Sequence, residues 1–261
     1  MPSPSHYYGW TGVGLPRRRF PALALDYYPP LPPQGSVITT GFLPPIWDQG
    51  QTSSCVGHGT TRAIAYARAK QGLPYVDLSR LFPYWNARVV EGGQATDSGA
   101  SVGDGIAASL QFGDCPYTDL PTDAALVTTQ PSSQIFANAI KHRAFTATRI
   151  FGANPTAFQY RFKHCIDLLG FPVVFGFTVY ESFESDQVAN TGVAPMPGPN
   201  EQIVGGHCVA AVAYDDTTQL VTCDNSWNTT WGQAGRFQLP YSYIFDPDMA
   251  DDFHAILSDV G

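Results

Sequence analysis

The chain has 261 residues, a net charge of -8 and a pI near 5.0, with 44% hydrophobic and 13% aromatic residues. Such an acidic balance argues against a nucleic-acid binder, because phosphate contacts need clustered Lys and Arg and the one basic run here is Arg17-Arg18-Arg19. No segment offers the roughly 18 apolar residues needed to span a bilayer, and 25 Gly, 22 Pro and only 14% charged residues favour a loop-rich globular body with a substantial core.

Residues 1–35 read as a leader of prolines and aromatics, with Tyr7-Tyr8-Gly9-Trp10 at one end and Tyr27-Tyr28 followed by four prolines at the other. Proline forbids long helices there, and exposed aromatics are costly, so the leader is expected to lie extended over the body. Its start has neither the basic residues nor the apolar stretch of a secretory signal, which leads us to expect a cytoplasmic protein or one exported by a non-classical route. Residues 36–40 suit a short edge strand. Residues 36–135 read as a mainly helical lobe, with helical spacing over 56–71, 78–88 and 102–112, the last ended by Gly113. A Pro/Thr-rich connection over 120–133 leads to a mainly β lobe over 136–261. Strands are expected over 144–150, 172–180, 206–214, 220–226, 235–239 and 252–257, with one helix over 156–169. Helices followed by strands imply an α+β fold of two lobes with a cleft between them.

Cys55 lies immediately before the first helical run, in Asp48-Gln49-Gly50-Gln51-Thr52-Ser53-Ser54-Cys55. At a helix N-terminus the unpaired N–H groups and the dipole favour a thiolate, the reactive form of cysteine. Gln49, on the loop just upstream, can present its amide in front of the sulfur and form an oxyanion hole with the Cys55 N–H. Far downstream, Gly205-Gly206-His207 opens an apolar strand, and Asn225-Ser226-Trp227 ends the next. A short turn joins the two strands, so an imidazole and the amide that orients it can be neighbours in one hairpin.

In these blocks the chain resembles the papain-like cysteine peptidases. The order Gln49, Cys55, His207, Asn225-Ser226-Trp227 and Trp231-Gly232 is that of the family, with His207 somewhat farther from Cys55 than is usual. Tyr7-Tyr8-Gly9-Trp10, residues 78–82, residues 97–101 and Gly205-Gly206 look more like its microbial branch. The resemblance implies a two-lobed papain-like fold whose β lobe is barrel-like. It also implies an endopeptidase in which Cys55 is the nucleophile, His207 the base and acid, Asn225 the group that orients His207, and Gln49 the oxyanion donor. It makes Asp97, Ser98, Gly99 and Ala100 the substrate-binding loop, with Gly206 beside the ring, Trp227 over Asn225, and Trp231 either on the leaving-group side or packed on Trp227. No metal or organic cofactor is implied, and the expected partner is a peptide or protein. Three positions depart from the family pattern. Thr52 replaces a cysteine, Val56 a tryptophan, and Gly206 an aspartate whose loss is expected to shift the pH optimum.

The five cysteines, at 55, 115, 165, 208 and 223, are odd in number and lack C-x-x-C spacing, so all are expected to be reduced and those other than Cys55 structural. His58 could face Cys55 from one helical turn away, and Asp224 could replace Asn225, but strand alternation turns Asp224 to the opposite face. His6, His142, His164 and His254 read as surface or satisfied histidines. The leader, near the cleft, is expected either to inhibit the enzyme or to brace the lobes. The competing readings are a non-catalytic or closed peptide-binding protein on the same scaffold, and a thiol acyltransferase resembling a transglutaminase.

Overall fold

The computed structural model describes residues 6–12, 35–38, 40–143 and 145–258. After β1 (Ser36–Val37) come α1 (Cys55–Lys70), α2 (Leu81–Glu91), α3 (Val102–Phe112) and α4 (Ser133–Ala139). Then follow β2 (Phe145–Arg149), α5 (Pro155–His164), β3 (Val173–Tyr180), α6 (Asp186–Thr191), β4 (Ile203–Asp215), β5 (Leu220–Asp224), β6 (Arg236–Pro240), α7 (Tyr241–Ile244) and β7 (Ala250–Ser258).

Helix α1 is the axis of the molecule, buried without interruption from Cys55 to Ala67. A helix buried on all sides needs small residues where neighbours come close, and Gly57, Gly59, Ala63, Ala65 and Ala67 supply them. At Gly59 a Cβ would stand 2.9 Å from Cys208 Sγ, so its absence lets the helix settle directly onto β4. The helix ends follow local chemistry. Ser101 Oγ accepts from the Asp104 N–H at 3.1 Å and caps α3, and Asn154 Oδ1 accepts from Ala157 N–H at 2.9 Å at the start of α5, with Pro155 next. Helix α2 begins three residues later than the spacing predicts, because Ser79 Oγ accepts from Phe82 N–H at 3.1 Å and holds the chain outside the first turn. The short helices α4 and α6 start at caps on Ser132 and Ser185, inside stretches whose polarity reads as loop. The helix expected over 156–169 is α5 followed by a π-helical turn, Cys165–Leu169, stopped by Gly170 at φ 64°.

The sheet is antiparallel, in the order β2-β7-β3-β4-β5-β6, with β1 added to β4 through Ser36↔Tyr214 and Val37↔Ala213. Its path ends at β2 and β6 among the described residues, so it is an open, twisted sheet and not a closed barrel. Strand β3 is apolar on both faces because helices cover one side and β-lobe aromatics the other. The β4–β5 hairpin pairs Ala210 with Asp224. His207 therefore sits on the β4 side, and Asn225 leaves the end of β5 beside it. No described helix is long and apolar enough to cross a membrane.

Candidate active site

The Cys55 sulfur is fully buried, and the backbone amides of Cys208, Gly9 and Val56 lie against it. Cys208 follows His207 in β4, so the strand that touches the sulfur also carries the imidazole. His207 Nε2–H donates to Asn225 Oδ1 at 2.8 Å, and the same oxygen accepts from Ser226 N–H at 2.8 Å, which fixes the amide's orientation. This tautomer leaves the lone pair on Nδ1, which has no hydrogen-bond partner among the described residues. Trp227 covers the ring, with centroids 4.7 Å apart and planes at 25°, and Trp231 meets Trp227 edge-on at 4.9 Å.

Gln49 is held from both ends. Its Oε1 accepts from Ser226 Oγ at 2.6 Å, and its Nε2 donates to Thr52 O at 2.8 Å and to Tyr7 O at 3.0 Å. In the loop 97–100 the residues divide by role. Asp97 accepts from Ser53 N–H at 2.8 Å and from Tyr84 Oη–H at 2.6 Å, so its carboxylate ties the loop to the nucleophile turn and is not turned to the cleft. Ser98 reaches only the Gly93 carbonyl, at 3.5 Å. Gly99 N–H donates to Tyr84 Oη at 3.0 Å, and Ala100 turns its N–H to the cleft. Gly99 has φ 81°, and a Cβ there would stand 2.3 Å from Gly9 O.

The groove between the lobes is filled by residues 6–10 of the same chain. His6 stacks on Trp227 at 3.8 Å and 12°, and its Nδ1 is 2.7 Å from Glu184 Oε2. His6 is thus a satisfied histidine, but one paired with Glu184 and seated against Trp227, which corrects the expectation that it has no paired neighbour. Tyr8 stands edge-on to His207 at 6.0 Å. Gly9 O accepts from Ala100 N–H at 2.6 Å, and Trp10 N–H donates to Gly206 O at 2.8 Å. The Trp10 ring lies over β3, where a Cβ on Gly176 would come within 2.0 Å of it. Beside His6 and Trp227 a groove of about 440 Å³ stays open, bordered by Asp48, Gly50, Gln51 and Asn228. Residues 1–5 and 13–34 of the leader, including Arg17-Arg18-Arg19 and Tyr27-Tyr28, lie outside the described residues.

Burial sets the electrostatics. Desolvation pushes the Cys55 thiol up to about 12 and the His207 imidazolium down to about 4. The expectation of a thiolate favoured by the helix end is therefore reversed in this closed form. A helix terminus contributes up to about 2 kcal/mol, whereas a rise from 9.0 to about 12 corresponds to roughly 4 kcal/mol against the anion. Thiol and imidazole are both neutral here.

The rival residues face elsewhere. His58 Nδ1–H donates to the Ser54 carbonyl at 3.0 Å, turning the ring away from a role as base. Asp224 points to the other face of β5, where it pairs with Arg62 at 2.9 Å and Arg236 at 2.6 Å. Cys208 is buried between β4 and α1, and Cys115, Cys165 and Cys223 are buried free thiols. Among the described residues no group of three or more His, Cys, Asp or Glu could hold a metal ion. Sequence reasoning missed His6, Gly176 and the Ser226 hydroxyl. Ser226 was open to discovery as the neighbour of Asn225, whereas Gly176 lies inside an apolar run that reads only as core.

No family model matches the chain. An uncharacterised peptidase C1-like protein of Acanthamoeba polyphaga mimivirus is 35% identical over 212 residues, covering 80% of this chain and 68% of that one. Xylellain, a cysteine protease from Xylella fastidiosa, superposes with a TM-score of 0.83 at 30% identity, over 96% of each chain. Digestive procathepsin L 3 of Tenebrio molitor larval midgut has a TM-score of 0.64 at 15% identity, over 96% of this chain and 75% of that one. Bromelain from Ananas comosus has a TM-score of 0.62 at 15% identity, over 87% of this chain and 100% of that one. These two share the fold.

Proposed function

Because the chain belongs to the papain-like cysteine peptidases and is a cysteine endopeptidase, we propose that Cys55, His207, Asn225 and Gln49 carry its chemistry and that residues 6–10 hold it shut. In the open enzyme Cys55 gives its proton to His207 Nδ1 and attacks the scissile carbonyl, forming the carbon–sulfur bond. Gln49 Nε2–H and the Cys55 N–H receive the oxyanion. His207 returns the proton to the departing amine, then takes one from the water that cleaves the thioester. Asn225 keeps the ring in the tautomer this sequence needs.

The observation that carries self-inhibition is the polarity of the leader. Attack by Cys55 requires the acyl half of a substrate to extend past Ala100 and the amine half past Trp227. Residues 6–10 run the other way, with His6 on Trp227 and Trp10 beside Ala100 in a parallel bridge. The Tyr7 carbonyl takes the Gln49 amide, while Gly9 presents an N–H to the sulfur where a carbonyl carbon is needed. A segment docked backwards blocks the groove without being cut.

The test uses Gly9, where a Cβ would stand 1.7 Å from Ser53 O. Gly9→Val in the full chain cannot keep this seat. It is expected to cleave a fluorogenic peptide at least about tenfold faster than the parent, the equivalent of about 1.4 kcal/mol of lost docking, and Cys55→Ala on that background is expected to be silent. An unchanged rate in Gly9→Val refutes inhibition by this segment, and turnover by the Cys55→Ala chain refutes the nucleophile.

A further inference from the structure

Behind the cleft, between α1, Trp47 and the β4–β5 hairpin, lies a cavity of about 10 Å³ with His58, Cys208 and Asn225 on its wall beside the Arg62–Asp224 pair, whose charges are already matched to each other. That is close to the least space in which one water fits. Two buried polar atoms of its lining residues have no hydrogen-bond partner among the described residues, His58 Nε2 and Asn225 Nδ2. Each residue is only 3% exposed, so bulk solvent does not satisfy them, and an unpaired buried polar group is costly.

Their chemistry is complementary. The Ser54 carbonyl can only accept, so His58 Nδ1 carries the proton and Nε2 presents a lone pair. The backbone carbonyl of Asp48 also lies beside this ring, but an oxygen acceptor does not satisfy a lone pair. Asn225 Oδ1 is taken by His207 and the Ser226 N–H, so Nδ2 faces the other way and can only donate. Nothing as small as the cavity accepts from one group and donates to the other except water; an ammonium ion cannot accept.

We infer that a single internal water bridges Asn225 Nδ2 and His58 Nε2, which makes His58 a positioning residue for the Asn225–His207 pair. The relay then runs from His207 through Asn225, the water and His58 to the carbonyl of Ser54, the residue before the nucleophile. It holds the amide from its nitrogen end. A flipped amide would set Nδ2 against His207 Nε2–H, donor against donor, and would drive the ring into the tautomer with no lone pair for the Cys55 proton. Burial holds the imidazolium of His58 down to about 3, so the accepting lone pair persists over the working range of pH.

A crystal structure of the full chain at a resolution that shows ordered water tests the bridge directly. One density peak within hydrogen-bond reach of both atoms is expected; an empty cavity, or direct contact between the two side chains, overturns it. The kinetic arm compares His58→Gln, whose amide oxygen can stand where Nε2 stands, with His58→Asn, whose shorter side chain keeps only the bond to Ser54. His58→Asn is expected to lose about tenfold in kcat with KM unchanged and to shift the acid limb of the pH profile, and His58→Gln to recover most of both. Equal loss in the two variants, or none in either, overturns the positioning role. This arm rests on the peptidase reading given above. The density does not, so a chain that cleaves nothing but shows the peak fails that reading and keeps the bridge.

Discussion

In the mechanism proposed above, two adjacent residues, Asn225 and Ser226, serve the two halves of the chemistry. Asn225 holds His207, and the Ser226 hydroxyl holds Gln49 through a 2.6 Å bond to Oε1. Without that bond the Gln49 amide keeps its Thr52 contact but loses the constraint on its oxygen. Gln49→Ala is expected to lower kcat by about 10²-fold, as loss of an oxyanion donor does elsewhere. Ser226→Ala is expected to cost about tenfold, and the double variant to be no slower than Gln49→Ala alone, because the serine acts only through the glutamine. Steady-state kinetics of the four proteins, made in a leader-released background such as Gly9→Val, measure this, and losses that simply add refute the coupling. The proposal for Gln49, Cys55, His207 and Asn225 comes from residue type and order, and the structure brings His207 to Asn225 and Gln49 to Ser226. The thiol's protonation was not legible. It depends on which segment lies over the sulfur, and nothing local to residues 48–59 says that residues 6–10 do.

At the level of elements, the strongly periodic ones were legible: α1, α3 and the β3, β4 and β5 strands follow from apolar spacing and from the turn after Asp215. The short helices α4 and α6 were not, since a single turn capped by serine carries no period. The open sheet also departs from the barrel-like lobe expected by resemblance, because pairing at the sheet edges depends on contacts distant in sequence. Strand β3 carries the least legible functional feature, Gly176, which opens the floor under Trp10. The buried indole marks the size of the pocket that the loop 97–100 borders. Full chain released from its leader is therefore expected to prefer a large aromatic residue two positions before the cut. Gly176→Val fills that floor and is expected to shift the preference to small aliphatic residues by roughly tenfold, the equivalent of about one methylene's worth of contact. A cleavage profile over a peptide library reads this, and an unchanged profile in Gly176→Val places the pocket elsewhere.

For the whole molecule, the closure proposed for residues 6–10 is linked to protonation. In the closed form the imidazolium of His207 is held down to about 4 from 6.5, by burial first, with the Asn225 bond opposing and the His6 charge adding. Release of the leader takes Tyr8 and His6 from beside the ring while Trp227 and Phe177 stay, so it relieves part of that desolvation and moves the value back toward 6.5. A group depressed in one state favours that state above its ordinary pKa and withdraws the support as pH falls toward the depressed value. Closure is thus unopposed by His207 above about 6.5 and loses at most roughly 3 kcal/mol as pH falls to about 4, a shift of up to about two powers of ten in the equilibrium. Cys55, raised to about 12 from 9.0, works in the opposite sense and opposes closure only as pH rises beyond 9.0. Closure should therefore be firmest between the two ordinary values and should yield to mild acid. Hydrogen exchange at Gly9 and Trp10, corrected for the intrinsic rate, is expected to accelerate between pH 6.5 and 4 while the amides of α1 remain protected. His207→Gln, which has no proton to gain, is expected to flatten that dependence. Leader amides whose protection stays constant over this interval, or a dependence that survives in His207→Gln, would show that the imidazole is not the group that loosens the seat.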